Sequence, residues 1–311
     1  MISKNLQRVV EGKDRIFLLD LSWFLHRNHH SFSWMGVDIN GYTRPTGHIY
    51  GVLYTIETLK TKFPNCAIVI CQDGIPVERQ ELAGQTETGY KDGRAELSFD
   101  FYKDIPVIES ACYLTSNVYW AFNHDKESDD IMYALAKQVK EISDIPVFIY
   151  SGDNDLLQAI DEQIKVVRKT AQNGDLIEIG EYEVTTQEEF TKKFHGVSPQ
   201  KLPFFRAIIG DSSDNIKGLP RFPRALAKEM AMSAESLEDM CKFQGVTATE
   251  RKYVDMLNSN WDCVALNYRM MKLSSEIEVN LFRKRPEVDK VLSVLGDLKM
   301  NRYLRYLGVE V

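Results

Sequence analysis

Between residues 16 and 180 short β-rich apolar runs alternate with helical patterns, and an acidic residue follows where a run breaks. The runs are RIFLLD, then a helix around 47 to 63; CAIVIC, then a long polar and helical insertion; VYWAF, then a helix over 128 to 143; PVFIY, then a helix over 153 to 163; and KVVRK with LIEI. This alternation predicts βαβ units, and so an α/β fold with a mainly parallel central sheet flanked by helices. In such sheets the loops at the carboxyl ends of strands converge on one crevice. Asp20 ends the first run, Asp73 follows the second, Glu127 the third and Asp153 the fourth, so these acids are expected to meet.

Nine acids fall at five such places: Asp20; Asp73; Glu127, Asp129 and Asp130; Asp153 and Asp155; Asp211 and Asp214. No His or Cys accompanies them at ligand spacing. The ions they would suit are therefore hard, oxygen-preferring divalent cations, Mg²⁺ or Mn²⁺, and not Zn²⁺. Each segment also has a plain reading. In KESDDIMYALAK the three acids could cap a helix. In YSGDNDLLQAI a turn and a cap account for one aspartate and leave a second over. GDSSDN alone is no better than a polar loop. Apposed carboxylates are costly to hold together without a cation, and two divalent ions need carboxylates from several elements, so the set of five points to metal and to phosphate chemistry.

The net charge of −7 does not decide against a polyanion partner, because cations bound at nine of the 45 acids would offset them locally, and basic stretches remain at Lys91 to Arg94 and Arg283 to Arg285. The longest apolar runs are about half the ~20 residues of a membrane span, and MISKNLQRVVEGKDR has no apolar signal core, so no membrane association and a cytoplasmic location are expected. Five scattered cysteines read as reduced thiols.

From about 185 onward the pattern turns almost wholly helical. Two regions are expected: 1–184, an α/β core with an insertion over 84–117, and 185–311, a helical region packed on the core. An insertion of that length is usually functional or mobile. It contains Tyr90, Lys91 and Arg94. A solvated loop is one reading of them; the other is a cation over the scissile phosphate with Tyr90 stacked on an unpaired base. His29 and His30 read as helix-end packing. No GxxxxGK[ST], GxSxG or HExxH occurs, which removes P-loop, serine-hydrolase and zincin chemistry.

These segments in this order, LLDLSWFLHR, TGHIYGVLYTIETL, the Asp73 strand end, GYKDGR, ESDD, SGDNDLLQ and GDSSDNIKGLP, resemble the 5′-nuclease family. That family includes flap endonucleases, the 5′→3′ exonuclease domain of bacterial DNA polymerase I and stand-alone phage 5′-exonucleases, and its fold is PIN-like. The resemblance implies a first metal site at Asp20, Asp73, Glu127, Asp129 and Asp130, and a second at Asp153, Asp155, Asp211 and Asp214. It also implies contacts from Tyr90, Lys91 and Arg94 to the 5′ end and scissile phosphate, a helical arch over 84–117, and phosphate contacts from Arg27 and Arg79. The implied substrates are DNA with a single-stranded 5′ flap or end, and RNA in RNA–DNA hybrids, cut by a free-standing, monomeric nuclease of replication or repair.

One segment departs from the family. Its helix-hairpin-helix carries G-V-x-G-I-G-x-K-x-A, whereas here GLPRFPRA puts Arg221 and Pro223 at the second and third glycines and Ala225 at the lysine. Proline has no N–H, and arginine does not readily take glycine-only backbone angles. A K⁺ ion is therefore not expected at this degenerate hairpin, and duplex contact is left to Arg221 and Arg224. Two rival readings are a PIN-like ribonuclease, disfavoured by the arch-length insertion and GDSSDN, and a catalytically silent DNA-binding module, disfavoured by the complete acid set.

Overall fold

A computed structural model describes residues 2–84, 101–169, 182–185, 187–194 and 196–311. Its strands are β1 (Ile16–Asp20), β2 (Gly36–Ile39), β3 (Tyr42–Pro45), β4 (Ala67–Gln72), β5 (Val118–Phe122), β6 (Val147–Tyr150), β7 (Ile164–Lys169), β8 (Tyr182–Thr185), β9 (Gly210–Asp211), β10 (Ile216–Lys217) and β11 (Asn280–Phe282). Seven of them form one sheet in the order β11-β5-β4-β1-β6-β7-β8. The five inner strands are parallel and the two edge strands run antiparallel to their neighbours. Both β1 neighbours are parallel and all five of its residues are buried, which is why IFLLD reads as an unbroken apolar run.

The helices are α1 (Leu6–Val10), α2 (Leu21–Ser31), α3 (Gly47–Lys62), α4 (Val77–Ala83), α5 (Ile105–Cys112), α6 (Ser128–Ile142), α7 (Gln187–Lys193), α8 (Leu202–Ile209), α9 (Arg224–Ser233), α10 (Ala248–Ser259), α11 (Trp261–Met271), α12 (Val288–Asp297) and α13 (Asn301–Tyr306). Alternation along each strand divides the core. Phe17, Leu19, Ile68 and Ile70 face α2, α3, α5, α12 and α13, whereas Ile16, Leu18, Val69 and Cys71 face α1 and α6. Each such side chain, fully buried, contributes about 1.5–3 kcal/mol. A third core, with Phe205, Ile208, Leu226, Met230, Leu257 and Val264, lies among α8 to α11.

The architecture is the mixed, mostly parallel sheet with flanking helices that the alternation predicts, with three local differences. Helix α2 and the β2–β3 hairpin stand between the first strand and the helix expected over 47 to 63. The helix expected over 153 to 163 is only a 3-10 helix, Asp155–Ala159: the Asp161 carboxylate accepts the backbone N–H groups of Gln163 and Ile164 and turns the chain into β7. The C-terminal region is not wholly helical, since β11 returns to the sheet beside β5. Arg283, just after it, donates to the carbonyls of Tyr113, Thr115 and Val118, which gives this member of the basic stretch a structural task. The LIEI run lies outside the described residues; among the described residues β8 pairs with β7.

All five cysteines are free thiols. Among the described residues no helix is long and apolar enough to cross a membrane.

Candidate active site

Asp20 is both the last residue of β1 and the cap of α2, where it accepts the Trp23 N–H at 3.1 Å. Its carboxylate also accepts Ser151 Oγ at 2.7 Å and Ser128 Oγ at 3.1 Å. Asp73, one residue past β4, accepts the Ser128 N–H at 2.6 Å and the Ser22 hydroxyl. Ser128 thus bridges the two carboxylates, its hydroxyl on Asp20 and its N–H on Asp73. Gly152 allows the β6 turn to close here, since a Cβ on it would collide with the Trp23 indole.

At the start of α6 the capping reading fails for Glu127, whose side chain makes no cap hydrogen bond. It pairs with Arg79 of α4 at 2.5 Å, and the same guanidinium reaches Asp129 and Asp130 at 3.0 Å each. Arg79, the residue expected to touch substrate phosphate, is 6% exposed and engaged by three carboxylates. A cation buried among acids pairs with them because an uncompensated charge there is costly.

On the next strand end Asp153 does act as a turn cap, accepting the Asp155 N–H at 2.8 Å, and Arg168 braces that turn through the Asp153 carbonyl and Asn154 Oδ1. Asp155 is the surplus acid. It pairs with Arg206 of α8 at 2.5 Å, and Arg206 also lies 2.8 Å from Asp211 Oδ2. Asp211 Oδ1 accepts from the Ser213 N–H at 2.9 Å, while Oδ2 is buried without a hydrogen bond of adequate angle.

The nine acids form one continuous electrostatic neighbourhood. Burial first, and then the charge of Asp73, pushes the Asp20 carboxyl up to about 7, with Asp153 adding to the rise. Burial first and Asp129 next push Asp130 up to about 7, with Glu127 contributing. Asp155 is held well above the usual carboxylate range by burial and then by Asp153, with Asp214 and Asp129 adding and Arg206 opposing. Oxygens of Asp155, Asp211 and Asp214 lie within 4.8 Å of one another. Carboxylates this close, buried and acid-strained, fit divalent cations, and an all-oxygen set fits hard ones.

The remaining sequence candidates are dispersed. Tyr90, Lys91 and Arg94 lie outside the described residues. Arg27 lies over the Trp23 ring at 5.0 Å, with Nη1 buried and no hydrogen-bond partner among the described residues. His29 and His30 end α2, and His29 packs near His48 and Phe101. Arg221 and Arg224 are exposed at the turn before α9 and its first residue. The backbone expectation for Arg221 needs correction: it does adopt the left-handed conformation, with φ 55°. The burial of Phe222 beside it, against Tyr253 at 5.3 Å, offsets a cost of about 1–2 kcal/mol.

Sequence reasoning missed Arg206 and the serines Ser22, Ser128 and Ser151. A lone arginine in the otherwise apolar LPFFRAII, five residues before Asp211, is the signal that could have found Arg206. Beside Asp130 and Arg79 a cleft of about 270 Å³ is lined by Lys126, Arg269, Lys272 and Tyr268, bringing cations to the rim of the acid set.

The family model described as 5′-3′ exonuclease, N-terminal resolvase-like domain, matches residues 15–195, more than half of the chain. The chain belongs to the 5′-3′ exonuclease family. It is 27% identical over 300 residues to the 5′-3′ exonuclease of Aquifex aeolicus, covering 93% of this chain and 94% of that one. It resembles in fold the bacteriophage T5 D15 flap endonuclease solved with DNA and metal ions, with TM-score 0.59 and 14% identity over 94% of this chain and 99% of that chain. It also resembles flap endonuclease-1 from Methanococcus jannaschii, with TM-score 0.55 and 14% identity over 99% and 94% of the two chains. This member of the 5′-3′ exonuclease family is thus a nuclease, and its acid set lies at the carboxyl edge of the parallel strands, where α/β folds place their sites.

Proposed function

We propose that this exonuclease is a Mg²⁺-dependent, structure-specific 5′-nuclease with 5′→3′ exonuclease and flap endonuclease activities. Its substrates are DNA with a 5′ single-stranded flap or end and RNA in RNA–DNA hybrids, and its task is primer removal or repair. The observation that carries the reading is the convergence of nine carboxylates from five chain positions into one neighbourhood. Support also comes from relatives of this family and from the DNA and metal ions in the T5 D15 structure.

Asp20, Asp73, Glu127, Asp129 and Asp130 would hold one ion and Asp153, Asp155, Asp211 and Asp214 the other, with Asp153 next to Asp20 as well as Asp155. Divalent ions bound there supply an activated water and stabilise the charge that grows on the phosphate. Ser22, Ser128 and Ser151 hold Asp20 and Asp73 in position through their hydroxyls. Lys91 and Arg94 neutralise the scissile phosphate, Tyr90 stacks on the unpaired base, and Arg27 contacts the backbone near Trp23. Residues 1–184 form the cutting unit, with the arch in the part of the 84–117 insertion ahead of Phe101, since Phe101, Ile108, Ala111 and Cys112 are buried in the core, and 185–311 holds duplex through Arg221 and Arg224. The protein acts as a monomer, and products carry 5′-phosphate and 3′-hydroxyl ends.

The deciding experiment is Mg²⁺-dependent cleavage of an end-labelled 5′ flap and a matched RNA-primed hybrid, mapped to the nucleotide. Cleavage near the junction is expected on both. No cleavage, or cuts spread without regard to the 5′ end, would overturn the reading.

A further inference from the structure

The cleft beside Asp130 has a charge balance of its own. Its volume is about 270 Å³, just below the ~300–1,000 Å³ of ordinary ligand clefts, which leaves room for one nucleotide and not for a helix. Asp130 and Arg79 line it where it meets the acid set, and they are paired with each other. Lys126 is paired with Glu78 at 2.8 Å. That pairing leaves Arg269 and Lys272, both exposed and in no ion pair among the described residues, against the single carboxylate of Asp125. The cleft also has apolar surface, from the buried Leu273 and the ring of Tyr268. Phe204 holds that ring at 4.8 Å, and the Lys272 ammonium lies over it at 5.4 Å. Two cations without carboxylate partners beside an aromatic face suit an anion that carries an apolar body.

We propose that this cleft is a subsite for the 5′-terminal phosphate monoester of the strand being cut, held by Arg269 and Lys272, with the sugar and base of that nucleotide against Tyr268 and Leu273. The inference rests on the reading of the acid set as the cutting site. Hydrolysis there breaks the bond from phosphorus to the 3′ oxygen, so each cut leaves a phosphate monoester on the 5′ end of the shortened strand. That group is the terminal phosphate for the next cut. A monoester carries about −1.5 to −2 charges at pH 7, more than the single charge of an internal diester, so two unpaired cations favour it. The released nucleotide keeps the terminal phosphate that it brought, and so offers the same group after the cut. A plainer role exists for both cations, since Arg269 is in the last turn of α11 and Lys272 caps it, where positive charge is favoured in any helix. That role alone would move the Tm and leave phosphate recognition untouched.

The test uses the full chain as wild type, as the double variant Arg269→Ala with Lys272→Ala, and as the charge-keeping Arg269→Lys with Lys272→Arg. One arm compares Mg²⁺-dependent cleavage of two recessed-end duplexes that differ only in a 5′-phosphate or a 5′-hydroxyl. Wild type is expected to show a KM about tenfold lower for the phosphorylated end, the effect of one charge-assisted contact, with kcat alike for the two. The alanine pair should erase that difference, and the charge-keeping pair should stay within about threefold of wild type. The other arm is calorimetric titration in Ca²⁺ with deoxyadenosine 5′-monophosphate and with deoxyadenosine. Binding of the nucleotide but not the nucleoside, lost in the alanine pair, identifies the released nucleotide as an occupant; a KM preference lost in that pair identifies the strand end. Either result supports the subsite. If wild type shows neither response, or the alanine pair diminishes neither, the proposal is overturned while the cutting site stands. If wild type cleaves neither duplex in Mg²⁺, the reading of the cutting site falls, and this inference with it.

Discussion

The backbone N–H of Ser128 donates to Asp73 Oδ1 at 2.6 Å, so the first residue of α6 is held by an acid from the end of a different strand. The same carboxylate accepts the Ser22 hydroxyl from α2. Asp73 thereby ties three elements together at the point where catalysis is proposed. Asp130, by contrast, is one of three carboxylates on Arg79, so its loss leaves that guanidinium paired with Glu127 and Asp129.

That contrast separates stability from chemistry. Asp130→Ala is expected to abolish cleavage in Mg²⁺ while leaving substrate binding in Ca²⁺ and the metal-free Tm close to wild type. Asp73→Ala should lose cleavage too, and in addition lose about 1 kcal/mol of stability with its cap. Cleavage rates and denaturation curves of both variants check this. Asp130→Ala retaining activity within tenfold of wild type would remove it from the metal set.

Lys91→Ala and Arg94→Ala are expected to lower the single-turnover rate by ~10²–10³ while changing affinity little, as for donors that act on charge developing in the transition state. Matched binding and rapid-quench measurements on one flap substrate decide. Equal losses in both would make them ordinary ground-state phosphate contacts.

Asp104 supplies a pH dependence. Burial alone would raise its carboxyl, yet the hydrogen bond from His48 at 2.8 Å and the charge of Arg44 hold it below its ordinary value. A depressed folded-state pKa stabilises above the unfolded value, about 3.9, and that contribution disappears as pH falls through the folded one. Asp104→Asn should therefore lower Tm at pH 6 to 7 by an amount that shrinks as pH falls below the unfolded value. A difference independent of pH would mean that shape, and not charge, is what Asp104 provides.

How much of this was legible follows from the range of each interaction. Asp20, Asp73, Glu127 and Asp153 could be placed because one local pattern, an apolar run ending in an acid, fixes both strand and edge. Ser22, Ser128 and Ser151 could not, because a serine beside a helix start looks the same whether its hydroxyl caps that helix or crosses to Asp20, 131 positions from Ser151. Arg206 was hidden for the same reason, since its partner Asp155 is 51 positions away. Strand β11 has three residues and no pattern of its own; it exists because Leu281 completes the core under β5. Arg221 shows the opposite error, where a local backbone preference was outweighed by tertiary burial of Phe222.

The hairpin before α9 carries the last prediction. Pro223 offers no N–H, and Arg221 holds a left-handed turn that glycine would adopt without strain. If the arginine is kept for its charge, Arg221→Gly should act in opposite directions on two readouts. Removing the strain should raise stability by about 1 kcal/mol. Losing the cation should weaken duplex binding, and with Arg224→Ala as well the slope of log affinity against log salt should flatten by up to about two, roughly one for each phosphate no longer neutralised. Affinity should also be the same in K⁺ and Na⁺ at fixed ionic strength, since a cradle of N–H groups around an ion cannot form across Pro223. Denaturation of Arg221→Gly and salt titrations of binding measure all three. A variant that gains stability and binds duplex with an unchanged salt slope, or a wild type that prefers K⁺, would show that duplex is held elsewhere than at these two arginines.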